Sequence, residues 1–340
     1  MKTREVVLNS PGTFVTRDFD RGELKPGTAR VAIRRIGICG TDIHAFHGRQ
    51  PFFEYPRVLG HELAAEIIEI EGETDLKRGD LVAVEPYLNR ASSDASRRGL
   101  SNCCDELQVL GVHCDGGMRP ELVLPLDKLH RSSGASPDQL ALVEMLCIGH
   151  HAVKRSRLTR DDRVAVFGAG PIGMSVLTFA TLECDTVGTV DLSDARARFA
   201  EECFDVQFRL VPDETGICEK SLRDILGGEL PTVIFDATGS RRSMETTFAM
   251  AAQGARIVFV GLRQGEIAFD DPNFHRRELS LLASRNATPH DFSSVIANIE
   301  SGRVSTDPWI THRLDLAEVP DRFESVVTDE TLRKGVIHLD

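Results

Sequence analysis

The string GAGPIG, with Gly168, Gly170 and Gly173, constrains this chain more than any other feature because of what flanks it. An apolar run (163–167, RVAVF) leads into it and an apolar segment of helical length, starting at Pro171, leads out. A strand that turns through glycines straight into a helix opens a βαβ unit. The rhythm continues: TVGTVD (186–191), a charged helix from Ser193, TVIFDATG (232–239), RIVFVG (256–261) and LSLLAS (279–284). This predicts an α/β, doubly wound parallel sheet. Amides at the helix start, through Gly168, Gly170, Pro171, Ile172 and Gly173, would hold a pyrophosphate, with Thr238 and Gly261 at later strand ends completing the wall. Asp191 ends the second run, 18 residues past Gly173. A carboxylate there accepts ribose hydroxyls and repels a 2′-phosphate, favouring NAD over NADP. Arg196 offers a counter-argument as a 2′-phosphate anchor, but reads better as a solvated helix residue or a guanidinium stacked on adenine.

The first 145 residues differ in kind. Short apolar runs at 30–35 (RVAIRR), 62–70 (ELAAEIIEI), 80–84 (DLVAV) and 121–124 (ELVL) suggest a mostly β domain. One helix is expected over 136–155, others over 289–299 and 316–327, and a surface loop over 90–102. A length of 340 residues suits about two domains. A net charge of -12, with no stripe of aromatics among basic residues, argues against nucleic acid. No apolar run approaches a membrane span, and MKTREVVLNS lacks a signal peptide's apolar stretch, so a cytoplasmic protein without membrane contact is expected. Eight cysteines are too dilute for a disulfide framework; each is a buried thiol, a nucleophile or a metal ligand.

Cys39, in GICGTDIH, and His61-Glu62, after a turn at Leu59-Gly60, together offer sulfur, imidazole and carboxylate. That donor set suits zinc with one coordination position left for a substrate oxygen. Here the chain resembles the zinc-dependent medium-chain alcohol dehydrogenases, in the branch of sorbitol and threonine dehydrogenases. The resemblance rests on GICGTDIH, on GHE at 60–62, GDLVAVEPY from Gly79, GVHCDGGM from Gly111, ALVEMLCIGHHAV, and the glycine turn with Asp191.

The resemblance implies one catalytic zinc on Cys39 and His61, with Glu62 as third ligand or immediate neighbour and Glu144 bound directly or through the zinc water. It implies that Asp42 orients His61, that Thr41 takes the alcohol proton and that His44 passes it to solvent while hydride goes to NAD. It implies a GroES-like catalytic domain (1–147 and 287–340) around an inserted Rossmann domain (148–286). A homodimer or homotetramer is expected on the same ground, through RIVFVG and LSLLAS.

Relatives often carry a second, structural zinc on four cysteines, and Arg90, Ser93, Ser96 and Cys104 stand at those positions. One thiolate of four predicts that this zinc is absent. A substitute cluster of Cys103, Cys104, His113 and Cys114 is disfavoured, since adjacent cysteines rarely face one metal. Ala65 replaces a usual glycine, Cys147 reads as a core thiol and His150-His151 as helix surface. For the small-molecule substrate, Phe46, Phe52 and Phe53 are candidate pocket walls or a core aromatic cluster. Arg49, Arg285 and Asn286 are candidate donors to a polyol or sugar-acid carboxylate. HGRQPFFEYPRVLGHE and SRNATPHDF resemble sugar-acid dehydrogenases, so a polyhydroxylated substrate oxidised at a secondary carbinol is favoured. An amino alcohol substrate, or a dinucleotide-binding protein without catalysis, are the alternatives.

Overall fold

The computed structural model describes residues 4–50, 53–213 and 219–339. They fold as two units: the first runs to Glu144 and resumes at Ala287, and the second is Met145–Asn286.

The second unit is a parallel sheet of six strands. Their order across the sheet is Phe208–Leu210, Thr186–Val190, Arg163–Phe167, Val233–Asp236, Arg256–Phe259 and Ser280–Ala283. In chain order that is 3-2-1-4-5-6, the Rossmann arrangement, with its switch point at Arg163–Phe167. Central strands rich in β-branched residues bury nearly every side chain, which only a sheet covered on both faces allows. Helix starts are fixed locally: the Ser193 hydroxyl accepts from Arg196 N, ending the non-helical turn after Asp191.

The first unit centres on a seven-stranded sheet. Its path is Ile310–Asp315, Lys334–His338, Thr28–Gly37, Glu62–Glu71, Leu81–Val84 and Leu129–Arg131, with Glu121–Pro125 also pairing with Thr28–Gly37. Thr28–Gly37 and Glu62–Glu71 pair antiparallel, with Gly37 opposite Glu62. Lys334–His338 lies on the other side of Thr28–Gly37, with Val336 opposite Gly37. Three residues distant in sequence thus meet at one end of the sheet.

Several elements depart from the sequence reading. The expected helix 136–155 is two, Pro137–Leu140 and Val143–Ser156. Residues 140–147 are all buried, so no amphipathic period marks the break. The unit boundary falls at Glu144, three residues before the expected one, because Val143–Ser156 runs through it without a turn signal. Within 90–102, Asp94–Arg97 is helical, and Ser93 and Asn102 are buried. The expected helix 316–327 begins as a tight turn, Leu316–Glu318, before Val319–Val327. His150 and His151 are buried, and His150 meets the Phe179 ring edge-on at 5.0 Å. Residue type alone suggested surface, but imidazole bodies pack well against apolar neighbours such as Ile148, Ala152 and Val153. No helix among the described residues is long and apolar enough to cross a membrane.

Candidate active site and cofactor site

Cys39 follows the strand Thr28–Gly37 and is the N-cap of the helix Gly40–Phe46. Ile38 N donates to Gly335 O at 2.9 Å, which fastens this corner to the strand Lys334–His338. His61 and Glu62 enter the sheet through a turn at Gly60, whose φ of +96° suits glycine. The GVHCDGGM motif supports that turn. Gly117 N donates to Gly60 O at 2.9 Å, and a Cβ on Gly116 would sit 2.2 Å from the same oxygen. Only glycine lets the two backbones approach so closely.

The donor atoms of Cys39, His61 and Glu62 lie within 4.8 Å of one another, and both His61 and Glu62 are buried. Sulfur, nitrogen and carboxylate oxygen converging in a desolvated corner is a donor set fitted to zinc. Among the described residues this is the one group of three or more such donors. Thr41 Oγ1 is 3.7 Å from Cys39 Sγ. His44, three residues on, is exposed, and its pKa is lowered by partial burial and by the charges of Arg49 and His47.

Asp42 is buried beside His61 and accepts its hydrogen bonds from backbone N–H groups. Its Oδ1 is 3.8 Å from His61 Nδ1, too far for a hydrogen bond. Instead its carboxylate accepts from Cys39 N at 2.9 Å and from Gly60 N at 3.4 Å. Asp42 thus ties the two ligand-bearing loops together and places a negative charge beside the imidazole. Burial pulls the His61 pKa down, but Cys39 and Asp42 outweigh it and hold the ring well above its ordinary value. Asp42→Asn is expected to weaken zinc binding by roughly 10–100-fold, the usual effect of losing a ligand's supporting partner. Chelator competition measures this, and an unchanged zinc affinity would deny Asp42 that role.

Glu144, also buried, accepts a hydrogen bond from the Tyr87 hydroxyl, and burial pushes its pKa up. Lys334 was not foreseen. It is buried, and its Nζ is 2.5 Å from Glu62 Oε1. Burial opposes its charge, yet Glu62 and Cys39 raise its pKa. Nothing in a single lysine ahead of GVIHL marks it; the signal is the strand register.

In the second unit, Gly168 has φ +94° and its N donates to Val190 O. Gly170 is the extended N-cap of Pro171–Glu183, and a Cβ there would meet nothing within 4 Å. Pro171 is exposed, Ile172 half-buried, and Gly173 packs on Gly168. Asp191 Oδ2 accepts from Ala169 N at 2.6 Å and Oδ1 from Ser193 N at 2.8 Å, so it braces the first turn against the second. Thr238 donates through N and Oγ1 to Asp236 Oδ1, and Gly261 packs on Gly239. Leu192 and Leu262 are over 80% exposed (81% and 86%) just beyond the ends of their strands. Sequence periodicity passed over both; exposed apolar side chains at a sheet's carboxyl edge suit flat cofactor rings. Arg196 is exposed on Asp194–Cys203.

The substrate candidates divide. Phe46 is no pocket wall: it is 4% exposed, with its ring 5.5 Å from Phe14 and 5.1 Å from Phe323 in the core. Helical spacing from Asp42, itself inward, turns it away from solvent. Phe53 packs edge-on against Tyr55, and Phe52 lies outside the described residues. Arg49, in the first unit, is exposed. In the second, Arg285 is exposed, and Asn286 adopts φ +52° with a buried Nδ2 that lacks a hydrogen-bond partner.

Around the expected second metal, Arg90 pairs with Glu106 at 3.0 Å. Ser93 and Ser96 hydroxyls bond each other at 2.9 Å, and Ser96 Oγ accepts from Asn89, whose Oδ1 accepts from the buried Lys128. Cys104 Sγ lies 3.9 Å from Asp105 Oδ1. Hydroxyls committed to one another are poor zinc ligands.

Comparison with known proteins agrees with this geometry. The alcohol dehydrogenase GroES-like domain matches residues 25–134, and the zinc-binding dehydrogenase domain residues 171–301. The chain is 39% identical to L-galactonate-5-dehydrogenase of Escherichia coli (strain K12), over 91% of each chain. It is 30% identical to D-xylulose reductase of Scheffersomyces stipitis, over 94% of each. Among solved structures, a short chain alcohol dehydrogenase, rspB, from Escherichia coli CFT073 complexed with NADH superposes with a TM-score of 0.92 at 26% identity, covering 99% of both chains.

Proposed function

The chain belongs to the zinc-containing medium-chain alcohol dehydrogenase family, in its polyol and sorbitol dehydrogenase branch, and as an oxidoreductase on CH-OH donors we propose that it oxidises a secondary alcohol of a sugar acid or polyol to the ketone with NAD. The observation that carries the reading is the convergence of Cys39, His61 and Glu62 beside Thr41.

Cys39, His61 and Glu62 would hold a zinc that supplies Lewis-acid polarisation of the carbinol oxygen, and the glycine turn would hold an NAD that supplies the hydride acceptor. The chain's own residues handle position and proton. Asp42 locks the Cys39 and Gly60 loops in register. Thr41 accepts the alcohol proton as it gives up its own hydroxyl proton, and His44, whose pKa is lowered by partial burial and by the charges of Arg49 and His47, passes a proton on to solvent. Glu144, hydrogen-bonded by Tyr87, stands as a further acidic group near the metal.

Asp191 supports NAD over NADP. Each oxygen takes one backbone N–H, leaving outward lone pairs for ribose hydroxyls and a charge that opposes a 2′-phosphate. One zinc per subunit is supported by the hydroxyl network at Ser93 and Ser96. A homodimer or homotetramer fits the edge strand Ser280–Ala283, which among the described residues pairs only with Arg256–Phe259 and where Leu281 is exposed; a cytoplasmic location rests on the sequence reading.

The relative at 39% identity acts on L-galactonate, so six-carbon aldonates head the substrate panel. Elemental analysis is expected to give one zinc per subunit, and NAD reduction to appear with aldonates or polyols. Turnover confined to simple alcohols would remove the substrate assignment, and two zinc ions per subunit would remove the single-metal one.

A further inference from the structure

Carboxylates crowd the donor group: Asp42, Glu62 and Glu144 are all buried there, beside Cys39 and His61. A carboxylate buried among others in a desolvated space is costly unless something pairs with it. Lys334 is bonded to the carboxylate at their centre, and its charge acts on Cys39, Asp42 and Glu144 as well. The placement is built in. Glu62 lies over Gly37, where a Cβ would fall 2.0 Å from Oε2 and 3.1 Å from Ala141 O. Next to Lys334, Gly335 O takes the Ile38 N–H that fixes the Cys39 corner.

From this juxtaposition, which rests on the reading of the group as a zinc centre, we propose that Lys334 is a positioning residue that stands in for the metal's charge. It holds Glu62 in the donor group and keeps the metal-free pocket folded until zinc arrives. Once zinc is bound, its two charges do most of what the ammonium did, and the lysine matters less.

Thermal melts of chelator-stripped and zinc-loaded protein test this with wild type, Lys334→Met and the double variant Glu62→Gln/Lys334→Met. For Lys334→Met the stripped form is expected to lose roughly 10 °C and the zinc-loaded form under about 3 °C, so the zinc-induced rise in Tm grows. The double variant, with both charges gone, is expected to recover most of the stripped-form loss. Equal losses in both forms would assign Lys334 to packing and overturn the proposal. So would a double variant as unstable as Lys334→Met, or a Lys334→Met protein that fails to fold with zinc present. A wild type whose Tm ignores zinc would overturn the metal-centre reading itself, a distinct result.

Discussion

Cys39→Ala is expected to yield protein without zinc and with kcat/KM lowered at least about 10³-fold. The substitution removes the one sulfur from a group whose other donors are His61 and Glu62. An imidazole and one carboxylate, the latter already paired with Lys334, leave a site two ligands short of the tetrahedral four. Lewis-acid stabilisation of developing charge supplies several kcal/mol, and each 1.36 kcal/mol is a factor of about ten in rate. The fold should survive. Cys39 is half-buried at a helix N-cap, its backbone bond to Asp42 needs no sulfur, and alanine leaves only a small gap. NADH binding is a control in the same sample, since the glycine turn belongs to the other unit. Protein that keeps both zinc and turnover would refute the site; protein that loses NADH binding as well has misfolded.

Gly173→Ala should be nearly as damaging by another route. The added Cβ would stand 1.7 Å from Gly168 O and 2.8 Å from its carbon, both backbone atoms, so no change of rotamer relieves the clash. The turn must open, and the amides facing Gly170 move with it. Overpacking of this kind typically costs about 1–3 kcal/mol, which in a unit the size of Met145–Asn286 lowers its Tm by roughly 3–10 °C. NADH affinity is expected to fall at least about 100-fold, because a helix N-terminus grips phosphate only where its N–H groups converge. Isothermal titration and a melt read both effects. Gly170→Ala is the matched control: its Cβ meets nothing within 4 Å, so the melt should stay put while cofactor affinity drops. Equal melts for wild type and Gly173→Ala would show that the helix tolerates a side chain there.

Much of the fold was legible because its signals are local. RVAVF followed by a glycine turn, repeated strand and helix alternation, and Asp191 at a strand end are each written within a few residues. The metal donors were legible for a related reason: GICGTDIH and GHE are ends of two adjacent antiparallel strands, and short glycine-bearing turns mark both. Side-chain direction was not. Phe46 looked available because it follows the Cys39 motif, yet its place on a short helix turns it onto Phe14 and Phe323. His150 and His151 read as helix surface on residue type alone, yet both are buried. The partners of Asp42 were equally hidden: its carboxylate bonds the backbone N–H groups of Cys39 and Gly60 while standing 3.8 Å from His61 Nδ1. Lys334 was out of reach altogether, since its meaning depends on a register between strands 272 residues apart.

That separation sets a clock on the ribosome. At about 5–20 residues per second, Glu62 leaves the exit tunnel on the order of half a minute before Lys334 does. Met145–Asn286 is continuous and is made entirely within that interval. The cofactor-binding half is therefore complete while the acids of the metal corner still await their lysine and the Gly335 carbonyl that anchors Cys39. A nascent chain stalled before the strand Lys334–His338 would carry a finished nucleotide fold and an unfinished metal corner, so zinc would find its full site only after that last strand is in place.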